Sequence, residues 1–395
     1  MIYHTLFKLH IINIVTVLSM GACAKKERTE VAQPVPIKET YIEWDQQSRR
    51  KVSSSPNVRY AGYARMIQLP DASLLCVYEA DGSIVSVKSS DLGDTWSQPV
   101  VVAPRANGTN MSVPDLTLLK NQTVLACYNG RPFEISPDRK FSIRVKKSRD
   151  GGLTWTDERL LYEAGHQFEN GCWEPAAIQL SGGEIQLYFA NEGPYTSSDE
   201  QNISLLRSAD NGDTWTNSPR VVSFRPGKRD GMPVPLLLKN GTDIVVAIED
   251  NAVNTFKPYV LRNSLEDNWA TTIAAESPNR TYALSERIGD EIYAGAPFIR
   301  QLSSGETILS YQGTEGRTNA MKFADMKVVI GNDQAKEFKH KSVPFVIPGN
   351  KSCLWNSLAV LSDDTVIAIT STNAYSDDKT EVWMIKGRII KDYIK

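Results

Sequence analysis

Two glutamates in the middle of the chain stand where a carboxyl group can perform acid–base chemistry. Glu174 lies between a tryptophan and a proline, in the phrase Cys-Trp-Glu-Pro at residues 172–175. Glu249 directly follows an apolar run at residues 244–248. A carboxyl group at the end of such a run is expected to be partly desolvated, which raises its pKa and suits a general acid. The alternative for each residue is a solvated loop glutamate with no chemical role.

Further polar and aromatic residues stand at the starts of apolar runs, or just before them. They are candidates for binding a substrate: Arg65, Asp115, Trp173, Arg229, Asp230, Tyr293, Trp355 and Asn356. For the aromatic members the alternative is packing in the core. Glu79 and Glu192 lie just after second strands and form a second acidic group.

Six similar units must position these residues. Each unit has a strand that ends in a polar turn and then a mostly apolar strand, and the units start near residues 64, 114, 175, 233, 297 and 356. Short strands joined by hairpin turns, without a convincing amphipathic helix, favour an all-β fold. Apolar runs without clean alternation indicate strands that are covered on both faces. The sequence therefore predicts a six-bladed β-propeller of four-stranded antiparallel sheets, whose inner strands converge on one axis.

A recurring phrase supports this array. Ser-x-Asp-x-Gly-x-Thr-Trp occurs at residues 89–96, 148–155 and 208–215, and a degenerate version lies at 264–269. The aspartate can accept bonds from nearby backbone N–H groups, and the glycine adopts φ > 0 without steric cost. We expect Asp91, Asp150 and Asp210 to close outer hairpins, away from any active site.

The phrase resembles the Asp-box, or BNR repeat, of sialidases and similar propeller glycosidases. A sialidase binds its substrate carboxylate with three arginines, and Arg65 resembles the first of them. Arg262 and Arg300 have no supporting context, and Asp81 resembles a turn residue more than an acid/base. The sialidase pattern is therefore poorly matched.

Five phrases resemble the exo-α-1,5-L-arabinanases of glycoside hydrolase family 93. They lie at residues 64–66, 173–175, 184–192, 229–234 and 247–251. The resemblance extends from about residue 58 to 385 and implies that two glutamates catalyse glycoside hydrolysis. It implies Glu174 as nucleophile and Glu249 as acid/base, with the assignment of the two roles left open.

The function implied is a retaining exo-glycosidase that cleaves α-L-arabinofuranosyl linkages of arabinan-type polysaccharide. Arg65, Asp115, Arg229 and Asp230 would bind sugar hydroxyls or orient the glutamates, and the aromatic residues would stack on sugar faces. No metal or organic cofactor is expected. Two alternatives remain: an exo-α-sialidase, or a carbohydrate-binding propeller lipoprotein without catalysis.

The N-terminus resembles a bacterial lipoprotein signal. A short apolar run at residues 11–18 precedes small residues and Cys23, and it is too short to span a bilayer. We expect a signal peptide at residues 1–22, lipid on Cys23, a tether at 23–45 and the propeller at 46–395, with Tyr41 to Trp44 as a strand of the last blade. The location would be the bacterial cell envelope. A plain signal peptide is the alternative.

Charge and residue counts limit the kinds of binding partner to be expected. The formal net charge of −2 gives no reason to expect nucleic acid, and contact with a membrane is expected only through the lipid. Four histidines and no metal-ligand spacing of cysteines make a zinc site unexpected. Cys76, Cys127, Cys172 and Cys353 are either buried thiols or a distant disulfide pair. The expected state is a monomer that binds an oligo- or polysaccharide.

Overall fold

The chain forms six four-stranded antiparallel sheets arranged around one axis. The structure is a computed structural model and describes residues 37–54, 57–376 and 379–393. The all-β, six-bladed propeller predicted from the sequence is confirmed. The expected signal peptide and Cys23 lie outside the described residues.

The first strand of the chain, β1 (Ile37–Lys51), belongs to the last blade. Blade 1 contains β2 (Ala61–Gln68), β3 (Leu74–Ala80), β4 (Ser83–Ser89) and β5 (Val100–Ala103). Blade 2 contains β6 (Thr109–Leu118), β7 (Val124–Pro132), β8 (Ser142–Ser148) and β9 (Thr156–Glu163). Blade 3 contains β10 (Cys172–Gln179), β11 (Ile185–Asn191), β12 (Asn202–Ser208) and β13 (Arg220–Ser223).

The remaining three blades follow in chain order. Blade 4 contains β14 (Asp230–Leu237), β15 (Asp243–Asp250), β16 (Lys257–Ser264) and β17 (Arg280–Tyr282). Blade 5 contains β18 (Ala294–Gln301), β19 (Thr307–Gly313), β20 (Asp325–Gly331) and β21 (Lys339–Ser342). Blade 6 combines β1 with β22 (Cys353–Val360), β23 (Val366–Thr372) and β24 (Glu381–Tyr393). Two short 3-10 turns lie at Phe168–Asn170 and Met321–Phe323.

Strand β1 closes the ring by pairing with β24. The register runs from Ile37 opposite Tyr393 to Lys51 opposite Trp383. The segment from Tyr41 to Trp44 therefore supplies a strand to the last blade, as expected. The expected tether boundary at residue 45 needs correction, because backbone pairing with β24 already begins at Ile37.

Every inner strand carries a bulge at the same position. The bulge residue has a left-handed backbone, with φ between 48° and 53°, in all six blades: Tyr63, Val113, Glu174, Met232, Ala296 and Trp355. A positive φ is strained for residues other than glycine and persists where surrounding contacts dictate it. The inner strands also start three to five residues before the predicted unit starts, because the bulge interrupts their pattern there.

The repeated phrase forms the expected turn between the third and fourth strands of blades 1–3. In blade 2, Asp150 Oδ1 accepts a bond of 2.9 Å from the backbone N–H of Thr154 and one of 2.7 Å from the Ser148 hydroxyl. Trp155 Nε1 donates to Ser86 Oγ of blade 1 at 3.1 Å. The turn therefore closes its own hairpin and ties it to the preceding blade.

Second strands such as β3, β11, β19 and β23 are buried along their whole length. Neighbouring sheets cover both of their faces, which explains apolar runs without alternation. Cys76, Cys127, Cys172 and Cys353 are buried free thiols, so the disulfide alternative does not apply to them. In the part of the chain that the structure describes, no helix has the length and apolar character needed to cross a bilayer.

Candidate active site

The six bulge residues surround the axis near one mouth of the propeller. Tyr63, Val113, Met232 and Ala296 form one buried apolar cluster, and Trp355 packs against it. Trp355 also stacks on Tyr63, with ring centroids 4.5 Å apart and an interplanar angle of 15°. The sixth bulge residue is Glu174. A single carboxyl group therefore interrupts an otherwise apolar ring.

Side chains from the preceding blade hold the bulge backbone in place. Around the ring, the backbone N–H groups of four bulge residues donate to side chains: Tyr63 to Ser371, Glu174 to Asn129, Ala296 to Glu249 and Trp355 to Gln312. The N–H groups of Val113 and Met232 act on the carboxyl groups of Glu79 and Glu174 and lower their pKa. The four bonds accepted by side-chain oxygens of Ser371, Asn129, Glu249 and Gln312 measure 2.7–3.1 Å. We call these six contacts the inter-blade bonds. They explain why six residues other than glycine keep a left-handed backbone.

The pattern of inter-blade bonds is broken at blade 3. In the other five blades the acceptor lies on the second strand, opposite the residue that precedes the bulge. The corresponding residue of blade 3 is Ala190, which has no polar side chain. Glu174 itself bonds the Met232 N–H instead. This break distinguishes Glu174 from the five other bulge residues.

A guanidinium group accompanies Glu174. Arg131 Nη2 lies 3.3 Å from Glu174 Oε1, and the two side chains are 22% and 17% exposed. Burial raises the pKa of Glu174, while the charge of Arg131 and the Met232 N–H act in the opposite direction. The ionised form of this carboxyl group is therefore stabilised by direct contacts.

Glu249 has a different environment. Its Oε2 accepts a bond of 2.8 Å from the backbone N–H of Ala296. Burial, followed by the negative charge of Glu174, raises the pKa of Glu249 to about 7. The two glutamates are thus close enough to affect each other's ionisation, and a pKa of about 7 leaves Glu249 about half protonated at neutral pH.

Two glycines make room for the Glu249 carboxyl group. A Cβ atom on Gly295 would lie 2.7 Å from Glu249 Oε2 and 2.6 Å from the Tyr293 hydroxyl oxygen. A Cβ atom on Gly231 would lie 3.0 Å from Glu249 Oε1. Tyr293 accepts a bond of 2.7 Å from Gln312 Nε2. The predicted residue Tyr293 therefore lies beside Glu249.

Arg229 lies at the same mouth, where its charge lowers the pKa of both Glu174 and Glu249. It forms an ion pair with Glu192, whose other oxygen accepts a bond of 2.7 Å from Trp173 Nε1. The Arg229 side chain is 35% exposed and can reach a ligand. Trp173 was expected to stack on a sugar but is only 5% exposed, so its indole positions Glu192 instead.

Three other predicted residues have protein partners in place of a substrate. Asp230 is buried and binds Arg225 at 2.7 Å and Arg280 at 2.5 Å, within a charge-balanced cluster that includes Asp250. Asn356 is 1% exposed and donates to the Cys353 carbonyl oxygen. Asp115 is 6% exposed and accepts from the Ala177 N–H. Asp230 starts β14, whereas Asp115 and Asn356 lie inside β6 and β22, and all three side chains are buried in the protein.

Arg65 lies on the axis beneath the ring. Its Nη1 donates to the Trp355 carbonyl oxygen at 3.4 Å, and its guanidinium stacks on Phe298. Arg65 and Glu174 also line one narrow cavity of about 10 Å³, the space of roughly one water molecule. Arg65 therefore supports the site from below and is not at its rim.

The arginines of the sialidase pattern do not converge. Arg300 stacks on the same Phe298 ring as Arg65. Arg262, in contrast, pairs with Asp243 at 2.8 Å on the second and third strands of blade 4. A three-arginine clamp for a carboxylate is therefore not formed by these residues.

Sequence reasoning missed Arg131 altogether and gave Glu79 no role. Arg131 is the next-to-last residue of β7 and contacts both Glu174 and the ring of Trp173. Its only signal in the sequence is a charged residue at the end of an apolar strand. Within the described residues, no group of three or more His, Cys, Asp or Glu side chains is arranged to hold a metal ion.

Comparisons with known proteins agree with this architecture. A family model described as "BNR repeat-like domain" matches residues 122–274. A sialidase from Micromonospora viridifaciens is 25% identical over 208 residues, which cover 49% of this chain and 31% of the sialidase. The matched part is thus about a third of that relative's length.

Solved structures extend the similarity to the whole propeller. An α-L-arabinofuranosidase from Fusarium graminearum, solved with an iminosugar inhibitor, has a TM-score of 0.67 and 19% identity, and the match covers 87% of this chain and 97% of that one. An α-L-arabinanase from Penicillium chrysogenum, solved with arabinobiose, has a TM-score of 0.62 and 18% identity, with coverage of 88% and 99%. These findings confirm the predicted resemblance of this chain to the Asp-box, or BNR-repeat, sialidase-like propeller superfamily.

Proposed function

We propose that this protein is a retaining exo-glycosidase in which Glu174 is the nucleophile and Glu249 the acid/base. The observation that carries the proposal is the unequal pair of carboxyl groups at the axis. Glu174 has a cation 3.3 Å away, whereas burial and the charge of Glu174 raise the pKa of Glu249 to about 7. A retaining glycosidase requires one ionised and one protonated carboxyl group, and the contacts of Glu174 and the burial of Glu249 favour these two forms respectively.

The reaction follows from these protonation states. Glu249 donates its proton to the glycosidic oxygen as the bond to the anomeric carbon breaks, and a Glu174 oxygen bonds to that carbon. Glu249, now ionised, removes a proton from water, and the water oxygen displaces Glu174. The sugar leaves with its original anomeric configuration, Glu249 regains its proton and Glu174 regains its charge.

The substrate we propose is an α-linked arabinofuranosyl chain. Support comes from the five phrases that resemble family 93 and from the α-L-arabinofuranosidase and the α-L-arabinanase that share the fold. Trp355 in the ring of bulge residues, Tyr293 beside Glu249 and the partly exposed Arg229 would bind the sugar through an aromatic face and hydrogen bonds. The protein would act as a monomer, which size-exclusion chromatography with light scattering would check.

The decisive experiment measures reducing sugar released from linear arabinan, sialyl-lactose and other glycans by the wild type, Glu174→Gln and Glu249→Gln. We expect arabinan to be hydrolysed with retention, seen by ¹H NMR of the first product. Each variant should lose several orders of magnitude in turnover, because the covalent and proton-transfer steps each supply large factors.

The outcomes separate the alternatives. Release of sialic acid without release of arabinose would identify a sialidase. Binding of glycans without any hydrolysis would identify a binding protein. Glu79→Gln is the matched control, since Glu79 makes the equivalent inter-blade bond in blade 1, and its loss of turnover should be far smaller.

We further propose that the protein is anchored in the bacterial cell envelope through lipid on Cys23. The support is the apolar run and the small residues before Cys23. Radiolabelled palmitate should be incorporated into the wild type and not into Cys23→Ser. A wild type without label would contradict the lipid anchor and favour a plain signal peptide.

A further inference from the structure

An exposed aromatic side chain stands beside the candidate active site. Phe168 lies in the loop that leads into β10, the strand that carries Trp173 and Glu174, and it is 64% exposed. The start of β10 is at the mouth of the propeller, so this ring lies at the rim. An exposed apolar side chain next to a polar site is a common mark of a binding surface.

The loop holds Phe168 in one position. Gly165 N–H donates to the Asn170 carbonyl oxygen at 2.7 Å, which closes the loop on itself. Phe141 N–H donates to the Gly165 carbonyl oxygen at 2.9 Å, and Asn170 Nδ2 donates to the Tyr195 carbonyl oxygen at 3.2 Å. A ring held this way loses little conformational freedom when a ligand covers it.

Phe168 is the outermost member of a three-ring cluster. Its centroid lies 4.7 Å from that of Trp173 and 6.2 Å from that of Phe141. Trp173 and Phe141 are 5% and 1% exposed. The cluster therefore packs one side of Phe168 against the protein and leaves the remainder in water.

The neighbours of Phe168 suit a ligand with both apolar and polar faces. Gln167 and Glu169 flank it and are exposed. A sugar ring presents C–H groups on its face and hydroxyl groups at its edge. An aromatic face bordered by an amide and a carboxylate matches both.

We propose that Phe168 is a stacking platform for a sugar unit of the substrate chain, outside the two units joined by the cleaved bond. This inference rests on the proposed function, since a bond held at the axis leaves the rest of a polysaccharide to pass over the rim. Trp173 was expected to provide such a platform, but the structure buries it and exposes Phe168 in front of it.

The test compares substrates of different length. Phe168→Ala should raise KM for arabinopentaose about tenfold, with kcat unchanged, because roughly one ring's worth of apolar contact is lost. The same variant should leave kcat/KM for arabinobiose unchanged. Phe168→Trp keeps an aromatic face and should restore the wild-type KM.

Leu153→Ala is the matched control. Leu153 is 61% exposed in the Asp-box turn of blade 2, so the substitution removes a similar exposed apolar group far from the mouth. It should change neither KM. Equal KM values for the wild type and Phe168→Ala on arabinopentaose, or equal losses on both substrates, would overturn the platform.

A binding measurement separates this proposal from the proposed function. In native affinity gels that contain linear arabinan, Glu174→Gln should be retarded and the double variant Glu174→Gln/Phe168→Ala should migrate faster. If arabinan retards the protein through Phe168 but the wild type does not hydrolyse it, the proposed glycosidase function is wrong and the proposed stacking role of Phe168 is supported. If arabinan does not retard Glu174→Gln, the platform is wrong.

Discussion

Glu249 has two roles that a single substitution can separate. It bonds the Ala296 N–H as one of the six inter-blade bonds, and it is the proposed acid. Blade 5 uses Gln312 for the equivalent bond, so a glutamine can replace Glu249 without loss of that contact. Glu249→Gln should therefore remove activity and keep the fold, whereas Glu249→Ala should also lose about 1 kcal/mol of stability.

The pKa of Glu249 gives this substitution a pH-dependent effect on stability. The pKa is about 7 in the folded protein and about 4.3 in an unfolded chain. A raised pKa favours the protonated form of the folded state, so this contribution is present at low pH and is lost as the pH rises through 7. At pH 8, Glu249→Gln should be more stable than the wild type by about 1–3 kcal/mol of unfolding free energy, and it should therefore unfold at a higher temperature. Equal thermal shifts from pH 5 to pH 8 in both proteins would contradict the raised pKa.

Arg131 should control the ionisation of the nucleophile. Arg131→Met removes the cation 3.3 Å from Glu174, so the pKa of Glu174 should rise further. The acidic limb of the kcat/KM profile should then move to higher pH by about one unit. Arg131→Lys keeps the charge and should move the limb less. An unmoved limb in Arg131→Met would show that Arg131 only fills space.

At the scale of strands, the close approach of neighbouring blades explains the glycines of the site. Gly295→Ala on β18 would place a methyl group 2.7 Å from Glu249 Oε2 and 2.6 Å from the Tyr293 hydroxyl. Both groups must move, so turnover should fall at least about tenfold, as small displacements of catalytic groups do. Gly182→Ala is the control, because its Cβ would meet nothing within 4 Å. A fully active Gly295→Ala would mean that the carboxyl group of Glu249 has another position.

The Asp-box turns belong to the same scale and should affect stability alone. Asp150→Ala removes the acceptor for two N–H groups and two hydroxyl groups of its turn. These donors are close to water, so the expected loss is about 1 kcal/mol, or a few degrees in Tm. The specific activity of the folded fraction should stay near that of the wild type. Reduced activity at an unchanged Tm would show that the turn belongs to the active site. Glu276→Ala is the control for the loss of one negative charge, because Glu276 is exposed and lies outside the Asp-box turns.

At the scale of the whole molecule, ring closure depends on β1. This strand pairs with β24 on both sides of an irregularity between Asp45 and Arg50, and Trp44 Nε1 also donates to Ser342 Oγ of blade 5 at 3.0 Å. A chain of residues 37–395 should fold with a Tm close to that of the chain from residue 24. A chain of residues 52–395 exposes the edge of β24 and should aggregate or melt far lower. Unchanged melting of the shorter chain would show that three strands suffice for blade 6.

Local chemistry is what the sequence determined by itself. The Ser-x-Asp-x-Gly-x-Thr-Trp turns, the apolar second strands and the number of blades could all be predicted, because turns and strand patterns involve residues close in the chain. The sequence also singled out Glu174 and Glu249 as a candidate pair, because each stands near an end of its strand in an unusual phrase. The resemblance to the family 93 enzymes then suggested that the two glutamates act as a pair.

Only the tertiary structure decided how these parts meet. The inter-blade bonds link residues as far apart as Tyr63 and Ser371, and no local pattern specifies which strand supplies the partner. For the same reason the sequence placed Asp230 at the substrate, whereas Arg225 and Arg280 bury it. Likewise, nothing in the sequence near Arg131 indicated that it lies beside Glu174. The sequence shows where along its strand a residue lies. The direction and the ionisation of its side chain depend on neighbours that the ring brings together from other blades.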